Sequence, residues 1–466
     1  MGLLFPLITF PYASRVLLAD GIGQFNFFSS IINYIVLFTG LGIPIYGIRE
    51  VARVRDNMVD LTRTTLEILI LSVCLSLIGY IAVAVMCFSI PEIQSDIPLF
   101  LVISFTIISS SIGCNWFYNG IEDYKFLAIN SLIVRVLSLF LLFGLVKTKD
   151  DLLYYGIYAV LTSSGNYILN FIGLHRRLNI SIIKIIDLNI FKHVKPAFAV
   201  FMFSIVTSIY VNLDKVMLGF IKDTESVGYY AVASQISHML LFLVISLGTV
   251  LLPRASNLVK NDQMEEFLQL SEKAYHFIML LSLPIVAGCL ILSPSLIHIV
   301  CGYSYDPSIM TLRLISPTII VIGLSQLIGM QILYPLGKIK IVTYCTCIGA
   351  AVNLLMNSVL IPLWAHDGAA ISSVAAEACV TISLIIIAKK YIDIRFFSSS
   401  FYKILFSTII MSICCLCVIS FVCDNDWLCF IIVPILGGTI YLVLLLCLRD
   451  ELVMDSMNTV RDLLKR

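Results

Sequence analysis

Apolar runs of about twenty residues recur along this chain, and they restrict its fold more than any other feature. About 20 helical residues cross the roughly 30 Å hydrocarbon layer of a bilayer. Within lipid every backbone N–H and C=O must be paired inside the protein, so only helices and closed barrels span it. The runs lack the strict alternation of a barrel strand, which leaves helices. Of the 466 residues, 59% are hydrophobic and 13% are charged. Soluble domains carry about 25% charged residues. The expectation is an all-α polytopic membrane protein with about fourteen transmembrane helices. They lie near 1–18, 25–46, 64–88, 98–119, 127–146, 152–174, 196–221, 228–252, 274–301, 309–336, 341–361, 369–388, 404–423 and 427–448.

The short connections exclude an ATP-hydrolysing module or a large catalytic loop, and no G-x-x-x-x-G-K-[ST] loop occurs. A net charge of +1 without a long basic segment argues against nucleic acid as a partner. Most of the 14 cysteines fall inside apolar runs and read as small buried hydrophobes; Cys345 and Cys347 lack zinc-site spacing. No catalytic residue, metal or cofactor is expected. The first run leads into another span without an A-x-A-like site, so no cleavable signal peptide is expected.

Arginine and lysine accumulate on alternate connections. One side holds Arg49, Arg53, Arg55 and Arg63, then Arg176, Arg177, Lys184, Lys192 and Lys195. It also holds Lys389, Lys390, Arg395, Lys403 and the tail residues Arg449, Arg461, Lys465 and Arg466. The other side holds only Lys147, Lys149, Lys222 and Arg15. Positive residues stay inside, so both termini are expected in the cytoplasm. The alternation of apolar and basic residues over 175–195 suits a segment lying along the inner surface.

A weak internal repeat is present. Gly23 and Gly228, Phe25 and Tyr230, and Arg49 and Arg254 each stand 205 positions apart. The expected organisation is an N-lobe at 1–195, a C-lobe at 196–390, and helices 13 and 14 with the tail at 391–466. Two parallel lobes of this kind usually enclose a central site.

An ionisable side chain inside a span costs roughly 2.5 to 3.5 kcal/mol on insertion scales and needs a reason. Arg135, Asp214, Lys215, Arg313 and Glu377 lie inside spans, and Arg15, Arg49 and Arg254 lie at span ends. Arg15, Arg49, Arg135, Lys215, Arg254 and Arg313 are the candidates for an anion-binding cavity. For Arg15, Arg49, Arg254 and Lys215, snorkelling to lipid headgroups is an equal alternative. Asp214 and Glu377 are candidates for ion coupling or charge pairing. Adjacent residues diverge on a helix, so Asp214 or Lys215 should cross to another helix. Glu67, near a span end, reads as unremarkable. Asn115, Trp116, Tyr118, Gln235, His238, Gln326, Gln331 and Tyr334 suit either sugar contact or helix-to-helix bonding.

The motifs carry a resemblance. Phe10-Pro11-Tyr12-x-Ser14-Arg15-Val16-Leu17 precedes Gly21-Ile22-Gly23-x-Phe25-Asn26, and Gly42-Ile43-Pro44-x-Tyr46-Gly47-Ile48-Arg49-Glu50 follows. Later come Asn212-Leu213-Asp214-Lys215-Val216-Met217-Leu218-Gly219, Leu252-Pro253-Arg254, Gln331-Ile332-Leu333-x-Pro335-Leu336-Gly337, and Gly368-Ala369-Ala370-Ile371 with Glu377. In order and spacing this resembles the Wzx-type polysaccharide flippases of the multidrug/oligosaccharidyl-lipid/polysaccharide (MOP) exporter superfamily, over essentially the full length. The family usually carries further apolar sequence ahead of Leu3–Phe5. Either the first helix is short here or the true start lies upstream. The resemblance implies two six-helix lobes in a V and a groove for the lipid tail at helices 13 and 14. It implies movement of undecaprenyl-pyrophosphate-linked oligosaccharide across the bacterial inner membrane for surface polysaccharide biosynthesis. Membrane lipid surrounds the chain, and the polysaccharide polymerase machinery is its expected neighbour. A monomer should suffice, coupled to the membrane potential, H+ or Na+. The alternatives are a multidrug or ion antiporter of the same superfamily and a membrane polysaccharide polymerase or ligase.

Overall fold

The computed structural model describes residues 4–179, 188–393, 395–422 and 425–455. Every regular element among them is a helix, and ten helices are long and apolar enough to cross a membrane. The chain divides into two compact units, Met1–Gly228 and Tyr229–Arg466. Lys184, Arg461, Lys465 and Arg466 lie outside the described residues, as do residues 180–187 of the segment expected along the inner surface.

The first unit contains α1 (Leu4–Gly40), α2 (Ile43–Val54), α3 (Met58–Ser89), α4 (Pro91–Gln94) and α5 (Ile97–Ile112). It continues with α6 (Asn115–Gly120), α7 (Tyr124–Leu145), α8 (Leu152–Leu174), a 3-10 turn at Ile190–His193 and α9 (Val194–Ile221). The first two expected spans are not separated by a loop at 19–24. They meet at the single non-helical residue Leu18 (φ 60°, ψ −176°). The second span ends at Gly40 rather than near 46. Leu41 and Gly42 take left-handed conformations (φ 42° and 70°), and Pro44 then opens the separate amphipathic helix α2. Gly42 is required twice over: its φ is positive, and a Cβ would stand 2.6 Å from the Phe201 amide nitrogen. The core of this unit gathers Ile43, Tyr46 and Val51 of α2 against Leu61 and Ile68 of α3 and Trp116, Phe117 and Tyr118 of α6.

Helix α10 (Thr224–Lys260) begins in the first unit. At this start the internal repeat is visible as packing. A Cβ on Gly23 would fall 1.6 Å from the Thr224 carbonyl oxygen, and a Cβ on Gly228 would fall 1.9 Å from that of Ala19. Ala19 and Thr224 are themselves 205 positions apart, so repeat-equivalent backbones interlock reciprocally. The Thr224 hydroxyl donates to the Asp20 carboxylate beside them.

The second unit continues α10 and adds α11 (Met264–Val300), α12 (Ser308–Ile315), α13 (Thr318–Gln326) and a π-helical turn at Leu327–Leu333. It closes with α14 (Ile339–Ala388), α15 (Ser399–Val422) and α16 (Asp426–Cys447). Expected spans 11 and 12 run through the proposed connection at 362–368 as α14, broken only at Ala365 (φ 46°, ψ −124°). The expected tenth span is three pieces. Pro317 follows the end of α12, and a π turn leads into Tyr334, Pro335 and Gly337. Proline explains much of the side-chain architecture here. Pro284 and Pro294 lie inside α11 and cannot donate to the carbonyls of Leu280 and Leu290 four residues earlier. Tyr441 of α16 donates its hydroxyl to the Leu280 oxygen at 2.9 Å. Arg313 of α12 donates Nε to the Leu290 oxygen at 3.2 Å. Pro317 frees the Arg313 carbonyl, which accepts from the Ser316 hydroxyl at 3.0 Å. α15 and α16 pack on α11 through Met411, Cys415, Val433, Tyr441 and Leu445, all buried.

Candidate functional site

In the first unit the candidate cations Arg49, Lys215 and Arg135 occupy three places, and Arg15 stands apart from them. Arg49 projects from α2 with half its side chain exposed and pairs with Glu50 at 3.1 Å. Arg53 shares that carboxylate at 3.2 Å, so two guanidiniums and one carboxylate leave a net positive charge on the helix face. The Arg49 guanidinium carbon stands 5.5 Å from the Tyr46 ring centroid. Tyr46 is buried because Gly47 lets α2 close on Trp116; a Cβ there would lie 2.8 Å from the indole.

A chain of hydrogen bonds begins at Tyr46. Its hydroxyl lies 2.7 Å from His193 Nδ1, and His193 Nε2 lies 2.9 Å from Glu67 Oε2. Glu67, with a side chain only 1% exposed, also accepts from Lys192 at 2.6 Å and from the Asn189 amide at 2.8 Å. Three donors, one of them an ammonium, supply what a buried carboxylate requires. Sequence reasoning passed over Glu67 as interfacial and did not select His193. The available signal was a carboxylate inside an apolar run, matched by a histidine flanked by Lys192 and Lys195.

The second place is the contact of α1 with α9. Lys215 crosses to α1 and donates to Asn26 Oδ1 at 3.1 Å, so the member of the adjacent charged pair that reaches another helix by this bond is the lysine. Asp214 is 7% exposed and has its own interaction. Beside this contact an apolar cavity of about 440 Å³ is lined by Tyr34, Phe38, Leu75, Met86, Val216 and Phe220, among others. The third place is α7. Arg135 is half-buried, its guanidinium 5.8 Å from the Phe5 ring, with no carboxylate within 4 Å among the described residues. Arg15 on α1 is exposed and has an interaction partner. Asn115 and Tyr118 serve helix packing. Asn170 Nδ2 donates to Asn115 Oδ1 at 2.6 Å, and the Tyr118 hydroxyl donates to the Asn170 carbonyl at 2.6 Å.

In the second unit Arg313 is half-buried and holds α12 to α11 through Leu290 and through the Ser293 hydroxyl at 2.7 Å. Those bonds use Nε alone, which leaves its terminal nitrogens for another partner. Arg254 follows Pro253 in α10 and is exposed. Glu377 lies half-buried in α14 and has an interaction partner. Gln331 sits in the π turn with a buried side-chain oxygen that accepts no hydrogen bond among the described residues. π turns inside helices are frequent at functional sites.

The cations within apolar helices and the fold that carries them can be set beside known proteins. A family model described as polysaccharide biosynthesis protein matches residues 1–259. The chain belongs to this family. An Escherichia coli (strain K12) protein bearing the name O-antigen transporter is 26% identical over 386 residues, covering 81% of this chain and 91% of that protein. A Haloferax volcanii protein named as the low-salt glycan biosynthesis flippase Agl15 is 22% identical over 226 residues, 48% of each chain. Among solved structures, lipid II flippase MurJ in its inward closed conformation aligns with a TM-score of 0.69. That alignment covers 96% of this chain and 97% of MurJ at 18% identity, and it shows the shared fold. The chain is a multi-pass membrane protein of this transporter fold.

Proposed function

We propose that the chain moves an undecaprenyl-pyrophosphate-linked oligosaccharide from the inner to the outer leaflet by alternating access, for surface polysaccharide assembly. The observation that carries this reading is the similarity to the O-antigen transporter across 81% of the chain. The charge census supports it. Arg135, Lys215 and Arg313 lie in the helices, and a pyrophosphate is a natural counterion for such cations. The bias of basic residues toward one set of connections supports a cytoplasmic position for both termini. No catalytic step belongs to this activity. Two negative charges leaving a negative-inside cell gain roughly 4 to 5 kcal/mol at 100 mV, so the membrane potential assists export. Asp214 and Glu377 are the residues proposed for ion coupling.

The test is reconstitution in vesicles with a fluorescent undecaprenyl-pyrophosphate-linked glycan, whose arrival in the opposite leaflet is read by an impermeant quencher. Protein-dependent flipping that accelerates with an inside-negative potential is expected. Absence of flipping under any potential, alongside export of cationic dyes, would replace the reading with multidrug transport.

A further inference from the structure

The hydrogen-bond chain of Tyr46, His193, Glu67 and Lys192 has no part in the transport reading above, yet it ends beneath Arg49. Its four members come from three elements: α2, α3 and the 3-10 turn ahead of α9. The Tyr46 and His193 rings meet edge-on with centroids 5.7 Å apart, and the Arg49 guanidinium lies 5.5 Å from the Tyr46 centroid. The Tyr46 ring is therefore the shared neighbour of the imidazole and the guanidinium.

Consider the protons. Glu67 is buried and takes three donors, one of them the Lys192 ammonium, so it is held as a carboxylate. His193 Nε2 therefore carries a proton and donates to it. In neutral imidazole Nδ1 is then an acceptor for the Tyr46 hydroxyl. Adding one proton makes Nδ1 a donor, and the Tyr46 hydroxyl must turn to accept. The charges of Glu67 and Lys192 cancel, so that proton adds a net positive charge behind Arg49. Glu50 and Arg53 share the α2 face with Arg49, and Lys195 and Arg63 stand two and four positions from His193 and Glu67 in the sequence. Of these, Arg63 has a buried Nε that makes no hydrogen bond. Arg49 and Arg53 against the single carboxylate of Glu50 leave this face cationic, which favours an anion over Arg49.

We infer that His193 is a proton-linked positioning residue for an oxyanion bound at Arg49: protonation of His193 tightens the anion, and the anion makes His193 take up a proton. The inference rests on the reading of Arg49 as part of the anion-binding set. The linkage is reciprocal by thermodynamic necessity. It acts on the loading step alone and does not require the proton to cross the membrane. Affinity for the anion is greatest with His193 protonated and falls when that proton is lost.

The test is calorimetry of inorganic sulfate, a divalent oxyanion that does not titrate near neutrality, binding to the full chain in detergent. Buffers of different ionisation heat report the protons taken up. A linkage of about three- to tenfold in affinity corresponds to an uptake maximum of about a quarter to a half proton per sulfate. Uptake of that size that disappears in His193→Gln, with sulfate still bound, is the expected result. Sulfate binding without proton uptake near neutrality would overturn the inference while leaving Arg49 as an anion site. Binding that is unchanged in Arg49→Ala would overturn it through its premise, and with it the role of Arg49 in the transport reading. If His193→Gln does not fold, Tyr46→Phe removes the hydroxyl on Nδ1 and keeps the ring under Arg49. The pH of maximal uptake should then move, and an unmoved maximum would contradict the role of His193.

Discussion

Gly23 and Gly228 show how a single atom decides the packing of two helices. A Cβ at either would stand under 2 Å from a carbonyl oxygen, and backbone cannot yield as a flexible side chain does. Gly23→Ala and Gly228→Ala are each expected to cost at least 1–3 kcal/mol, roughly the cost of overpacking a filled core. The check is the midpoint of thermal unfolding in detergent. Gly144, inside α7, has nothing within 4 Å of its would-be Cβ. Gly144→Ala should therefore leave the midpoint unchanged or raise it by the equivalent of up to about 1 kcal/mol. The glycines were legible in the sequence as a repeat at a fixed offset, but the close approach was not, because spacing does not say which backbones meet. The same holds for the charges. Adjacency dictated that Asp214 and Lys215 diverge, whereas the choice of Asn26 as the lysine's partner depends on how α9 lies along α1. Glu67 was misread because nothing local to it reveals the three donors that the distant 189–193 segment supplies.

At the scale of elements, the recurring device is a proline that frees a carbonyl and a side chain from another helix that pairs it. Tyr441→Phe leaves the Leu280 oxygen unpaired in a core and should destabilise by about 1–3 kcal/mol. Adding Pro284→Ala restores an N–H to that oxygen, so the double variant should recover most of the loss in the same unfolding assay. Arg313 extends this logic to function. Arg313→Ala should lower stability, and Arg313→Ala with Pro294→Ala should regain it. Flipping in vesicles should stay impaired in both, because only the Leu290 carbonyl is replaced and the guanidinium is still missing. Recovery of flipping in the double variant would make Arg313 a backbone cap alone. A proline inside an apolar run is itself visible in the sequence, and the tenth span breaks at Pro317. Their partners were not readable, since Tyr441 lies 161 positions from Leu280. Span boundaries failed where two spans join through one residue, at Leu18 and Ala365. Such junctions leave no polar loop in the sequence to mark them.

At the scale of the whole molecule, composition and the length of the apolar runs were sufficient for the fold class. A polytopic helical chain with 13% charged residues has few other ways to satisfy its backbone. The family followed from ordered short motifs rather than from any one of them, and the match over residues 1–259 agrees. Function then turns on what the embedded cations bind. Deleting the gene in its host and quantifying lipid-linked oligosaccharides by leaflet is the most direct measurement. Accumulation of completed units on the inner leaflet, with loss of surface glycan restored by the wild-type gene, is the expected result. Completed units reaching the outer leaflet at the normal rate in a host with no second flippase would contradict the assignment.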